Sequence, residues 1–479
     1  MRRVVVAALA VAALAVPAAA AAFVTNDPLA PQQWYLEQDR AFDSWADPPV
    51  LQPVKVALID SGIDGGHPEF AGRIALAKSF VGGSALTDEQ GHGTTIAGEI
   101  AASIDNDVGI AGIAFPAQLL IAKVVDTDGT ISLEAESAAI HWAVDHGARV
   151  INLSFGGLRD PIDPSEDTYS ALEAAAVSYA VSKGVVVVAA VGNSDQAPTT
   201  PWNYASYPAA LPHVIGVGAL AQDGSVPLFS DRDPVYVDLT APGEGIFSTF
   251  PRPLTAARPA CADQGYTDCA DDDYSSGAQG TSFSAPQVSA AAALLLATDP
   301  MLTPDQVATV LERSAVDMTP ADGCRACASG RDPLTGWGRL DITGALEALS
   351  GPLPTADARE PNDGAGASAN TVWGSTASIA ATTDWWDDRI DVYRVYMRKG
   401  QRIDSSLLGP SAPGANLALW RPGTADVVGT SKRVLAMRAA VAGPEGTLAF
   451  RSRVSGWYYL EVSARRTASG PYTLSIRKT

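Results

Sequence analysis

The stretch Gln279-Gly280-Thr281-Ser282-Phe283-Ser284-Ala285-Pro286 reads as a tight turn opening a helix, the apolar run Val288 to Ala297. A helix apolar on nearly every face belongs in the interior. Ser282 would stand at its positive end, where backbone N–H groups lack intrahelical partners and can face a developing negative charge. A serine there is suited to attack an acyl carbon, provided a base takes its proton. Alone, Gly-Thr-Ser is more often an ordinary helix cap. Two further residues change the balance. His92 lies between glycines in Gly91-His92-Gly93-Thr94-Thr95-Ile96-Ala97-Gly98, at the start of a small-residue helix. Asp60 ends the short apolar run Val54 to Ile59. An imidazole can act as base, and a carboxylate can orient it and stabilise the imidazolium. Asn193, after Val185 to Gly192, offers an amide donor. With the backbone N–H of Ser282 it would form an oxyanion hole. The other four histidines, His67, His141, His146 and His213, read as surface residues.

The elements that must position these groups alternate along the chain. Val54 to Ile59, Leu119 to Val125, Val150 to Ser154, Val185 to Val191 and Val214 to Gly218 are β-branched apolar runs of the buried, parallel-sheet kind. Between them, Thr94 to Ser103, Leu133 to His146 and Tyr169 to Lys183 read as helices. Pro300 to Arg313, capped by Thr303-Pro304-Asp305, follows. This order predicts an α/β fold, one parallel sheet with helices on both faces. Functional groups at strand carboxyl ends are where open α/β sheets place their chemistry. Beyond residue 350 the period changes to two, as in Ile390 to Tyr396, Gly456 to Val462 and Tyr472 to Ile476. That predicts a small antiparallel β-sandwich over 359–479, joined by a Pro/Gly-rich linker at 351–358.

The chain has 479 residues, with 47% hydrophobic and 18% charged, enough for a sizeable core. Its net charge of −20 argues against nucleic acid and anionic lipid as partners. Residues 1–22 carry Arg2-Arg3, an apolar run from Val4 to Val16 and several Ala-x-Ala sites, the pattern of a secretory signal peptide. No other run approaches the ~18 apolar residues of a membrane span. A secreted, extracellular, monomeric protein is expected, with 23–350 as its first domain. Four cysteines fit an oxidising compartment. They allow three pairings, and the local pairs Cys261 with Cys269 and Cys324 with Cys327 are favoured.

Six motifs in order carry a resemblance to a known family: Val56-Ala57-Leu58-Ile59-Asp60-Ser61-Gly62, His92-Gly93-Thr94, Ile151-Asn152-Leu153-Ser154, Ala189-Ala190-Val191-Gly192-Asn193, Ala241-Pro242-Gly243 and Gly280-Thr281-Ser282. The chain resembles the subtilisin-like serine proteases, the subtilases. The resemblance runs from about Asn26 to Leu349. It implies a serine endopeptidase acting on polypeptides, with Ser282 as nucleophile, His92 as general base and then acid, Asp60 as the orienting carboxylate and Asn193 in the oxyanion hole. It also implies that Ser154-Phe155-Gly156 and Ala189-Ala190-Val191 line the substrate cleft, where a peptide adds as an extended strand. Thr95, Phe283, Ser284 and Gln287 depart from the family pattern without removing a catalytic group. The acidic stretch Arg159 to Asp167 near the cleft would favour basic residues in substrates.

A structural Ca2+ is implied by the same resemblance. Its ligands would be Asp27, Glu69 and, from one loop, Ile104, Asn106, Val108 and Ile110; hard oxygen donors suit that ion. The tail, with Glu360-Pro361-Asn362-Asp363 and Gly456 to Val462, is similar to the bacterial pre-peptidase C-terminal domain. That resemblance implies an accessory role in secretion, adhesion or substrate binding.

Overall fold

The computed structural model describes residues 22–479 except 196, 256–272, 354, 358, 367–368, 387, 410–414, 425–426, 428–434, 439–444 and 466–467. The proposed signal peptide, but for residue 22, and the Cys261–Cys269 pair lie outside the described residues. Cys324 and Cys327 are disulfide-bonded.

Seven strands form one sheet: β1 (Val54–Asp60), β2 (Ile74–Ser79), β3 (Ala117–Lys123), β4 (Val150–Leu153), β5 (Val186–Ala190), β6 (Val214–Leu220) and β7 (Leu239–Pro242). Their order is β2-β3-β1-β4-β5-β6-β7, and every neighbouring pair is parallel. Alternate residues feed two apolar cores, which is why these strands read as continuous apolar runs. Val56, Leu58, Leu119 and Val188 pack on one face with the His92–Ala101 and Ala285–Thr298 helices. Ala57, Ile59, Leu120 and Val187 pack on the other with the Leu133–Asp145 and Ala171–Ser182 helices. The expected α/β fold with helices on both faces is therefore present. The Ala285–Thr298 helix is buried from Ala285 through Ala297, as its uniform apolarity requires.

After β1 the chain builds β2 and β3 on one side of it and β4 to β7 on the other. That reversal of strand order opens a crevice beyond the carboxyl end of β1, where Asp60 sits. A two-stranded antiparallel ribbon, β8 (Ile246–Thr249) with β9 (Tyr274–Ala278), leads into the turn that carries Ser282. No periodicity in the sequence announced this ribbon.

The tail forms two sheets. One has five strands, β10 (Asn370–Val372), β12 (Ile390–Met397), β17 (Gly456–Ala464), β14 (Ala415–Trp420) and β15 (Leu435–Arg438). The other has four, β11 (Thr376–Asp384), β18 (Ser469–Lys478), β13 (Arg402–Leu408) and β16 (Glu445–Arg451). Inward residues such as Val395, Leu407, Leu460 and Leu474 share one core. Pairing is antiparallel except that the short edge strand β10 runs parallel to β12.

The tail is clasped to the first domain at His213, which is not a surface residue. Its side chain is 2% exposed, with Nδ1 at 2.9 Å from Asp305 and Nε2 at 2.9 and 2.8 Å from Glu360 and Asp363. His67 is likewise buried, its Nε2 at 2.8 Å from the Asp273 carbonyl.

Candidate active site

Asp60 is the last residue of β1, and His92 is the first of the helix that packs against that strand's end. The imidazole Nδ1 lies 2.9 and 3.0 Å from the two Asp60 oxygens. Gly93 makes the approach possible: a Cβ there would lie 2.1 Å from the Gly62 carbonyl oxygen. Burial pulls the His92 pKa down, but the Asp60 carboxylate by charge and hydrogen bond, aided by the charge of Asp88, more than reverses this. The imidazole sits above the ordinary histidine value.

Asp88 was missed by the sequence reading. It is 3% exposed and acts as a clamp. One oxygen accepts from Ser61 Oγ (2.8 Å), Gly91 N (2.9 Å) and Gln90 N (3.1 Å). The other accepts from Thr94 N (2.9 Å) and Thr94 Oγ1 (2.7 Å). Ser61 Oγ in turn accepts from Gly93 N at 2.9 Å. Strand end and helix start are thus tied through one carboxylate. An acid shortly before a Gly-flanked helix start was the available signal, since carboxylates favour helix N-termini.

Ser282 lies in a 3-10 turn, Thr281–Phe283, just before the Ala285–Thr298 helix rather than at its first residue. The N–H groups of Thr281, Phe283 and Ser284 are engaged with the Asn193 side chain and the Gly280 and Thr281 carbonyls. That of Ser282 has no acceptor among the described residues. Asn193 Oδ1 accepts from Thr281 N (2.8 Å) and Oγ1 (2.9 Å), which leaves its amide NH2 as the free end. The Ser282 hydroxyl donates to the Ser154 carbonyl at 2.8 Å, and Ser154 Oγ donates back to the Ser282 carbonyl at 2.7 Å. The His92 ring lies 5.5 Å from that of Phe283, the neighbour of Ser282.

A cavity of about 190 Å3 opens beside Ser282 and Asn193, lined among others by Phe155, Gly156 and Ala190. Ala189 and Val191, expected with Ala190 along the substrate cleft, are not among the residues that line this cavity, and their side chains are fully buried in the sheet core. Strand alternation sends their side chains to the opposite face from Ala190. The acidic loop Arg159 to Asp167 is organised by its own carboxylates. Asp160 accepts from Ile162 N and Asp163 N, and Asp167 accepts from Asp160 N, so these carboxylates shape their own loop. Arg159 is paired with Asp233 at 2.9 Å.

Two of the expected calcium ligands, Asp27 and Glu69, are hydrogen-bonded to the 104–110 loop. Asp27 accepts from Asp105 N (2.9 Å) and Asn106 N (3.0 Å), and Glu69 Oε1 accepts from Ile110 N (2.8 Å). Gly109 allows the loop to close on Glu69, since a Cβ there would lie 2.1 Å from Oε1. Glu69 Oε2 is buried with no hydrogen-bond partner, and burial pushes this carboxyl up to about 7. An orphaned carboxylate oxygen beside Asp27 and Asn106 is a donor set that fits a hard cation. Ile104 packs against the main core, Val108 is exposed, and Ile110 is buried beside Phe247.

Comparison with known proteins agrees with this geometry. Residues 52–338 match the model of the subtilase family. Subtilisin DY of Bacillus licheniformis is 35% identical over 266 residues, covering 55% of this chain and 84% of that protein. Thermitase of Thermoactinomyces vulgaris is 36% identical over 231 residues, covering 48% and 77%. Among solved structures, sphericase is 29% identical with a TM-score of 0.53, covering 65% of this chain and 99% of that one. The chain therefore belongs to the subtilase family and is a subtilisin-like serine endopeptidase.

Proposed function

We propose that Ser282, His92 and Asp60 form the catalytic triad of a secreted endopeptidase. Ser282 Oγ attacks the scissile carbonyl carbon and passes its proton to His92 Nε2, while Asp60 holds Nδ1 and stabilises the imidazolium. The oxyanion is held by the Ser282 N–H and the Asn193 amide. His92 then protonates the leaving amine. Water, deprotonated by the same imidazole, releases the acyl group. The observation that carries this reading is the imidazole bonded to both Asp60 oxygens and packed beside the Ser282 turn. In the cycle the Ser282 hydroxyl turns from the Ser154 carbonyl towards His92 as substrate fills the cleft; such bonds often tighten only in the complex. The substrate backbone adds along Ser154-Phe155-Gly156 in extended form. A fluorophosphonate should label the wild type and not Ser282→Ala. Equal labelling of both would refute the assignment.

Asp27, Glu69 and Asn106, with carbonyls of the 104–110 loop, would hold a structural Ca2+, whose role is to fix that loop against the first helix-bearing segment. A chelator should lower the melting temperature of Ser282→Ala, and an unmoved transition would exclude the site. Residues 1–22 are assigned as a signal peptide, 23–350 as the catalytic domain, 351–358 as linker and 359–479 as an accessory domain similar to pre-peptidase C-terminal domains. Among the described residues no helix is long and apolar enough to cross a membrane. Intact mass of the protein recovered from medium tests cleavage after the Ala-rich stretch; an uncleaved, cell-retained chain would contradict export.

A further inference from the structure

The cavity beside Ser282 has an acid in its wall. Among its described lining residues only Asp195 and Asp231 are ionisable, and no cation is present to balance them. Asp195 is exposed, whereas Asp231 is 2% exposed. Asp231 is held by neutral donors. Ser194 Oγ donates to its Oδ1 at 2.6 Å, and Ser206 Oγ reaches Oδ2 at a longer 3.4 Å. Oδ2 therefore keeps lone pairs for another donor. Gly192 stands between Asn193 and this carboxylate; a Cβ on Gly192 would lie 2.2 Å from Oδ2. The cavity, at about 190 Å3, exceeds by more than tenfold the ~10–15 Å3 one water needs, so it has room for a side chain.

We propose that this cavity receives the substrate side chain preceding the scissile bond, and that Asp231 makes it select lysine and arginine. This rests on the serine-peptidase reading of the site. A long aliphatic stem would lie along Phe155, Leu158 and Ala190. Its cationic head would meet Asp231 Oδ2 at the buried end, with Asp195 adding negative potential at the mouth. Burial pushes the Asp231 carboxyl up to about 7 in the substrate-free protein, the condition of an acid lacking a counter-charge. A substrate cation supplies one. The acidic 159–167 loop stands apart from this pocket: none of its carboxylates is among the lining residues.

The test uses the full secreted chain and matched chromogenic peptides ending in Lys, Arg, Phe or Leu before the leaving group. Fluorophosphonate labelling of Ser282 is measured first, so that the peptidase reading is judged separately. The wild type should favour Lys and Arg over Phe by at least about tenfold in kcat/KM. Asp231→Asn should lower the Lys-to-Phe ratio by about 10²-fold, as expected for removing one partner of a buried charge pair. Asp231→Ser provides a second variant, and labelling reports whether each is folded. Should neither fold, benzamidine on the wild type decides. Protection of Ser282 by the amidinium, and not by benzyl alcohol, supports the assignment; equal effects overturn it. A labelled wild type that prefers Phe or Leu, or a ratio unmoved by Asp231→Asn, sinks the proposal alone. An unlabelled wild type sinks the peptidase reading and this proposal with it.

Discussion

Replacing Asp88 with Asn should damage both stability and the pH dependence of the site. The buried carboxylate accepts five hydrogen bonds, one from Ser61 after β1 and four from Gln90, Gly91 and Thr94 at the helix start. Asn keeps the shape but turns one acceptor oxygen into a donor. The less costly orientation places NH2 towards Thr94, whose hydroxyl can reverse and accept. The Thr94 N–H then loses its acceptor at a cost of about 1–3 kcal/mol. The remaining bonds pass from charge-assisted to neutral and lose roughly half their strength. Together these give about 2–4 kcal/mol, or a fall in melting temperature of about 3–6 °C for a domain of this size. Measured in a Ser282→Ala background, the transition is free of self-digestion. In the active chain, loss of the negative charge removes one of the influences that raise the His92 pKa. The acid limb of fluorophosphonate labelling should therefore move to lower pH. A melting temperature within 1 °C of the parent, together with an acid limb that stays put or moves upward, would refute the clamp.

Three other outcomes follow from the geometry. Asn193→Leu should lower kcat by about 10²–10³-fold, a value known for this donor in subtilisins rather than derived from these distances; a fall confined to KM would contradict the oxyanion role. Gly93→Ala places a Cβ 2.1 Å from the Gly62 carbonyl, so labelling should be lost and the melting temperature lowered; an unchanged transition and full labelling would show that the strand end yields freely. Glu136 and Glu173 face each other, both buried between two helices. Burial first, then the neighbouring Glu173 charge, raises Glu136, and burial raises Glu173. An acid raised in the folded state gives stability that is complete below its unfolded value of ~4.3 and is lost as pH rises through the folded value. Glu136→Gln should therefore flatten the loss of melting temperature between pH 5 and pH 9; an equal slope in both proteins would refute the coupling.

The local sequence determined the alternation of buried strands and helices, because both faces of a parallel sheet demand continuous apolar runs. It also determined which groups could do chemistry, since Asp60, His92, Ser282 and Asn193 all stand at element ends marked by small residues. Those signals are short-range and survive without coordinates. Tertiary structure alone decided the rest. Asp88 acquires its role from five donors folded around it, and Ala190 rather than Ala189 or Val191 faces the cavity through strand alternation at one register. Asp231 reaches the pocket only because β5 and the segment after β6 converge there, and His213 is buried by carboxylates some ninety to one hundred and fifty positions away. Composition cannot reveal such groups, because an isolated Asp or His reads as solvated until long-range packing removes the water around it.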